Sequence, residues 1–272
     1  MKRFIALLLS ATAIIFWSCE EESPLLPESE LVVVRAYIYA DEPVTDVQIA
    51  TTYSITSEDT AGLPINDALV SLEKNGQIYT LVPSAGDSGF YHYQGDDLQV
   101  NVGDEFEIIV EYGGERITGE TIVPSPPVNV SISAEQYVID TSVFGFRSDT
   151  SSVTVNWNQE DDTYYFIVIE NKEPTLVLID ERFSGMFNGN RSFRSRPVQE
   201  DEYTIRRLDL TYQGLHEVRV YKVNQEYADL YEFGVQDSRN LNEPKSNISN
   251  GLGVFAGFSS AVVHFNVATS SD

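Results

Sequence analysis

Two turn signals restrict the folds open to this chain. Asn75-Gly76 separates Leu69-Val70-Ser71-Leu72 from Ile78-Tyr79-Thr80-Leu81-Val82, and Gly113-Gly114 separates Phe106-Glu107-Ile108-Ile109-Val110 from Ile117 to Val123. A two-residue hairpin turn needs positive φ at its central positions, and these dipeptides adopt it at little cost. The flanking runs carry the β-branched and aromatic residues of strands, as does Leu31 to Tyr39. No helical period persists through residues 30–124, so this stretch is expected to be a β-sandwich. Thr121-Ile122-Val123-Pro124-Ser125-Pro126-Pro127 ends it, because such a proline cluster cannot continue a ladder.

The chain is thereby expected to be all-β, with two β-sandwich domains at 30–124 and 125–272. In the first, Pro64-Ile65-Asn66-Asp67-Ala68-Leu69-Val70 resembles a strand entry in prealbumin-like or immunoglobulin-like modules. The second resembles a fibronectin type III domain with an inserted loop. Val153, Val155 and Trp157 alternate onto one face, Tyr164 to Ile169 is apolar on both faces, and Ala261 to Val267 is a last strand. His216 stands where that fold places its corner tyrosine, which leaves the corner hydrogen bond open but not the alternation of Val218 and Val220. Tyr227, Leu230, Tyr231 and Gly234 recur at helical spacing, predicting one short helix laid over the sandwich.

Cys19 is the only cysteine. Before it stand Lys2, Arg3 and an apolar or small-residue run from Phe4 to Trp17, too short for a bilayer core of about 20 residues. The layout is that of a secretory signal over residues 1–18. Ser18-Cys19 resembles the processing site of a bacterial lipoprotein, although Phe16 and Trp17 depart from the usual small residue and leucine. The looser lipoproteins of Bacteroidota resemble it better, and in them an acidic run such as Glu20, Glu21 and Glu22 resembles a surface-export signal. Residues 19–29, acidic with Ser23, Pro24, Pro27 and Ser29, are expected to be a flexible tether. The implied location is an outer membrane, lipid-anchored and facing outward. With no second cysteine for a disulfide, stability must come from core burial, for which 42% hydrophobic residues are available. The net charge is −25, and −27 without Lys2 and Arg3, which argues against nucleic acid as a partner.

A lipoprotein cysteine, then Leu31-Val32-Val33-Val34, then Ile117 to Pro124, and finally Ser246-Asn247-Ile248-Ser249-Asn250-Gly251-Leu252-Gly253-Val254-Phe255-Ala256-Gly257 follow one another in this chain. This order resembles the Bacteroidota lipoproteins of domain of unknown function 4249. The resemblance implies an outer-membrane lipoprotein that partners a TonB-dependent receptor. It carries no catalytic residue across.

Candidate chemistry is sparse. Gly86-Asp87-Ser88-Gly89 imitates the nucleophile motif of trypsin-like proteases, but no histidine precedes Ser88. Gly251-x-Gly253-x-x-Ala256 imitates a dinucleotide fingerprint, yet too little chain follows for the required helix and strand. His92, His216 and His264 lack zinc spacing, and Asp96-Asp97 and Asp161-Asp162 fit no calcium loop. Trp157 is expected to fill core. No catalytic residue, cofactor or metal is assigned. One stretch is locally distinct: six of the 17 cations, Arg182, Arg191, Arg194, Arg196, Arg206 and Arg207, fall between 182 and 207, interleaved with Phe183, Phe187 and Phe193. Arginine pairs bidentately with carboxylate or phosphate and stacks on aromatic rings. A loop that docks an acidic partner or anionic ligand competes here with simple pairing to the chain's own carboxylates. The expected function is a non-enzymatic binding or accessory module for a TonB-dependent transporter; a structural or adhesive surface protein is the alternative, and a hydrolase a third.

Overall fold

A computed structural model describes residues 31–52, 62–140, 152–183, 191–231 and 245–270. Cys19, Glu20, Glu21, Glu22, Phe187 and Gly234 lie outside them. Described in chain order, the N-terminal half contains β1 (Val32–Tyr39), β2 (Asp46–Thr51), β3 (Leu69–Lys74), β4 (Gln77–Pro83), β5 (Phe90–His92), β6 (Glu105–Tyr112) and β7 (Glu115–Ile122). There follow β8 (Val128–Ile132), β9 (Gln136–Asp140), β10 (Val153–Asn158), β11 (Tyr164–Asn171), β12 (Ser192–Arg194), β13 (Glu202–Ile205) and β14 (Gly214–Val223). Helix α1 (Gln225–Asp229), β15 (Ile248–Ser249) and the 19-residue β16 (Leu252–Ser270) complete the chain. Among the described residues no helix is long and apolar enough to cross a membrane.

Both expected hairpins form. Asn75 and Gly76 have φ of 53° and 79°, Gly113 and Gly114 of 62° and 88°, so each turn carries two positive φ values between paired strands. In the N-terminal half, β1, β2 and β5 form one layer and β3, β6, β7 and β15 another. Strand β4 turns the corner by pairing with both β5 and β3. Val34, Ile38, Ile49, Leu72, Ile108 and Ile117 fill the space between. Buried Tyr91 fastens the entry to β3, its hydroxyl donating to the Ile65 carbonyl and accepting from the Ala68 amide, both at 3.1 Å. In the C-terminal half, β12, β11, β14, β16 and β9 face the three-stranded sheet β13-β10-β8. Val155, Trp157, Ile167, Val220 and Phe265 lie between them. Trp157, 4% exposed, is core as its alternation predicts.

The expected division after residue 124 is crossed by the chain's last strand. The sequence reading starts that strand at Ala261; it begins nine residues earlier, at Leu252. Its first part runs parallel to β1, Val33 opposite Leu252 through Tyr39 opposite Phe258. Its second part runs antiparallel to β14, Val223 opposite Phe258 through Gly214 opposite Val267. Strand β15 likewise returns to pair with β7. The two halves therefore share one continuous layer. Odd positions of β16 face the two sandwich cores, Phe255 in the first and Phe265 and Val267 in the second, while Val254, Ala256 and Phe258 face outward.

Glycine permits this pairing. Gly253 has φ of 116°, and a Cβ there would lie 1.9 Å from the Val34 carbonyl oxygen. At Gly257 a Cβ would lie 2.9 Å from the Ile122 carbonyl oxygen, where the end of β7 crosses the strand. The Gly251-x-Gly253-x-x-Ala256 pattern thus serves strand packing.

His216 substitutes for the corner tyrosine. Its Nδ1 lies 2.9 Å from the Gly214 carbonyl, which only accepts, so Nδ1 carries the proton; Nε2 then accepts from the Asn171 amide at 3.3 Å. The ring stacks on Phe265 at 5.3 Å. Burial lowers its pKa below the ordinary 6.5, against the opposing Gly214 hydrogen bond and Glu173 charge.

Two outcomes follow from this packing. Gly253→Ala should cost about 3 kcal/mol in urea unfolding, since strained φ and a backbone clash act together. Because the depressed pKa favours neutral His216 in the folded state, its contribution is complete above 6.5 and fades as pH falls below it. The stability margin of the parent over His216→Phe should narrow between about pH 7 and about pH 5; a constant margin would contradict the neutral-histidine corner.

Candidate functional site

The outward face of the shared layer carries a second set of aromatic residues. On β1, Tyr37 and Tyr39 alternate with the core residues Ala36 and Ile38; on β11, Phe166 alternates with Tyr165 and Ile167. Tyr221 of β14 and Phe258 of β16 lie on the same side. Pairing sets them in register, Phe166 opposite Tyr221 and Tyr39 opposite Phe258. Phe166 and Tyr221 stack at 4.8 Å with 14° between planes, and Tyr39 and Phe258 at 4.9 Å with 22°. Tyr39 meets Tyr221 edge-on at 5.9 Å. Helix α1 places buried Tyr227 over Phe258 at 4.9 Å and against Tyr37 at 5.6 Å. This is the predicted short helix, five residues long, with Tyr227 and Ala228 as its buried side chains.

Arg194 completes the array. Strand β12 pairs it opposite Val168, and its Cζ sits 4.4 Å from the Phe166 ring centre and 5.7 Å from that of Tyr227. Phe166 is thus flanked by a guanidinium and a phenol. Among the described residues no carboxylate pairs with Arg194, and its guanidinium makes no hydrogen bond. The hydroxyls of Tyr37 and Tyr221 also have no hydrogen-bond partner there. Tyr39 donates to Asp46 at 3.4 Å, and Tyr227 and Tyr231 share a bond of 2.9 Å.

Burial sets the ionisation of this face. The Tyr37 phenol is pushed up to about 12 and those of Tyr39 and Tyr227 higher still, so all remain protonated near neutrality. Burial also raises the Asp46 carboxyl, against the nearby Arg35 charge and the Tyr39 hydrogen bond. Arg35 reaches Gln48 across the β1–β2 pair. Arg219 bonds Glu42 and Glu217, each at 3.1 Å. Burial opposes the charge on Glu217, but Arg219 outweighs it and holds that carboxyl below its ordinary value.

The described arginines of the predicted cluster have different surroundings. Arg182 chelates Asp180, with its Nε at 2.8 Å and Nη2 at 2.7 Å. Arg191 and Arg196 are exposed, and Phe193 packs toward the C-terminal core on the face opposite Arg194. The Arg206 amide donates to Asp209 at 2.9 Å, and Arg207 Nη1 donates to the Leu210 carbonyl at 2.7 Å. Phe183 closes a 3-10 turn, Glu181–Phe183. Self-pairing therefore accounts for Arg182, whereas Arg194 lies over rings from β11 and α1. Sequence reading missed Tyr37, Tyr39, Tyr221, Tyr227, Phe166 and Phe258 as a group. The available signal was the both-faced apolarity of β11 and the valine–tyrosine mixture of β1.

Other arrangements offer less. Ser88 lies in the β4–β5 turn between Gly86 and Gly89. Ser84 Oγ and His92 Nδ1 are 3.0 Å apart, but no described carboxylate orients that histidine. His264 Nε2 lies 3.6 Å from Glu217 at the surface. An open groove of about 820 Å³ between the outer face of β3, β6 and β7 and helix α1 is lined by Glu73, Glu105, Glu107, Glu120 and Glu226. No group of three metal-ligating side chains occurs among the described residues.

These features define an all-β protein of two joined sandwiches with an aromatic outer face. Domain of unknown function (DUF4249) matches residues 20–262, and the chain belongs to that family. No curated protein matches the chain. Among solved structures, a cytokine receptor complex is similar at 13% identity, covering 88% of this chain and 98% of that one, with a TM-score of 0.26. The FN1–FN3 domains of chicken CNTN1 are similar at 9% identity, covering 87% and 64%, with a TM-score of 0.26.

The stacking geometry separates the two kinds of side chain on this face. Tyr227→Ala should cost about 3 kcal/mol, the range for emptying a buried aromatic site. Arg194→Ala should cost about 1 kcal/mol or less, the worth of one cation–π contact at an exposed position. Denaturant titration of both variants checks this, and equal losses would make Arg194 an integral part of the core.

Proposed function

We propose that the chain is a non-enzymatic binding module, held to an outer membrane by lipid on Cys19, directed outward by Glu20, Glu21 and Glu22, and serving a TonB-dependent transporter. The observation that carries the binding part is the aromatic face built from both halves, with Arg194 stacked and lacking a carboxylate partner among the described residues. A guanidinium stacked on a ring loses less freedom on pairing than a free one, so it favours recognition of an acidic group. Membrane attachment is supported by the sole cysteine behind the short apolar run, and the family match begins at residue 20, immediately after it. Several acyl chains, at about 0.8 kcal/mol per buried CH₂, would hold such a module firmly.

A C-terminal tag, gentle detergent extraction from native membranes and mass spectrometry test both parts. One TonB-dependent receptor should co-purify in stoichiometric amount, and Cys19→Ser should leave the membrane fraction. Recovery of the chain alone would favour the adhesive reading. Continued membrane attachment of Cys19→Ser would end the lipid assignment.

A further inference from the structure

We infer that the arginine–tyrosine face binds a compact hydroxylated ring acid, of which a uronic sugar is the simplest example. This deepens the binding-module reading and rests on it. Three properties of the face select that chemistry. First, Arg194 lies against Phe166 and Tyr227, and its N–H groups have no carboxylate among the described residues. Stacking of this kind presents a guanidinium fork ready for a carboxylate. Second, the hydroxyls of Tyr37 and Tyr221 make no hydrogen bond among the described residues, and half-buried Asp46 supplies an acceptor behind Tyr39. Such groups match ligand hydroxyls, and a ligand without them leaves polar groups unpaired at a cost. Third, the half-buried rings of Tyr37, Tyr39 and Tyr221, backed by buried Phe166, Tyr227 and Phe258, offer apolar surface against which the body of a ring-shaped ligand can rest.

Charge decides the size of the ligand. The chain carries a net −25, and Glu42 and Glu217 border this face. Arg219 is already committed to those two carboxylates, and Arg35 is engaged with Gln48. Over these rings an extended polyanion would thus find Arg194 alone among the described cations, within repulsive surroundings. A single carboxylate on a small ring meets that cation and little else. A neutral sugar leaves Arg194 unmatched, and a simple aromatic acid leaves Asp46 and the phenols unmatched.

Glucuronate, glucose and benzoate titrated into the purified full chain by calorimetry test the assignment. Glucuronate should bind at least about 10-fold more tightly than glucose, the ratio set by one charged hydrogen-bonded contact, and severalfold more tightly than benzoate, which lacks the hydroxyls. Arg194→Ser should lose the advantage over glucose, Tyr37→Phe should weaken glucuronate severalfold with the ring retained, and Arg194→Lys should recover only part of the binding. Thermal melts establish that each variant is folded. No binding of glucuronate, equal binding of glucose or benzoate, or an unchanged affinity in folded Arg194→Ser would overturn the inference. A receptor recovered from membranes without glucuronate binding leaves the transporter reading standing and removes this one; the reverse pair of results does the opposite.

Discussion

The parallel pairing of β1 with the first part of β16 is the contact on which the rest of the structure depends. It brings the last strand of the chain beside the first described one, and it requires Gly253 to sit against the Val34 carbonyl. Parallel neighbours cannot be joined by a tight turn, and here nearly the whole described chain lies between them. Both cores are then built on one strand. Phe255 enters the first and Phe265 the second without a change of alternation, so a register slip of one residue in β16 would turn both sets outward. Between Phe255 and the second core, which starts on this strand at Val263, lie Gly257, Ser259 and Ala261 on the inward side. Their small size fits the place where the end of β7 and the following linker cross the strand.

Polar contacts around that crossing join the two halves side to side. Lys222, largely buried, bonds Glu160 at 2.6 Å and Ser125 of the proline-rich linker at 3.0 Å. Thr121 Oγ1 accepts from the Gly257 amide and from the Asn224 side chain, each at 2.9 Å. Arg219 reaches Glu42 across the layer. In this pair Lys222 is buried while Glu160 is half exposed, and desolvation of the lysine offsets much of the attraction. The pair's geometric demand is what matters here: breaking the pair leaves a charge buried, so the relative placement of linker, β14 and the β10–β11 loop is narrowly defined. The aromatic face, drawn from β1, β11, β12, β14, β16 and α1, inherits that definition.

Local signals were legible in the sequence to the extent that their causes were local. Asn75-Gly76 and Gly113-Gly114 dictate their hairpins through backbone φ alone, and Val153, Val155 and Trp157 announce a half-buried strand by period. The corner function at His216 was open because a histidine donates from Nδ1 where a tyrosine donates from its hydroxyl; only the Gly214 carbonyl beside it resolves the matter. The start of β16 was hidden by its own glycines, which lower strand propensity while their purpose, close approach of β1, is non-local. The binding face was hidden for the same reason. Sequence proximity grouped six arginines, yet Arg182 is consumed by Asp180 two residues away, and Arg194 gains its surroundings from segments as distant as Tyr37 and Phe258.

A sheet layer that is apolar on both faces needs cover on both sides. Over most of this layer the inward cover is a second sheet; outward, among the described residues, helix α1 contributes Tyr227 and Ala228. At the partly buried positions of this face, Tyr37, Tyr39 and Tyr221, tyrosine suits better than leucine or valine. Its ring stacks with neighbours, as in the Phe166–Tyr221 and Tyr39–Phe258 pairs, while its hydroxyl tolerates water or a ligand at the rim. The same physics that makes this region an adequate outer surface for the fold therefore makes it an amphipathic, well-ordered platform. In a chain so acidic, the cation placed on that platform is the feature that gives it chemical selectivity.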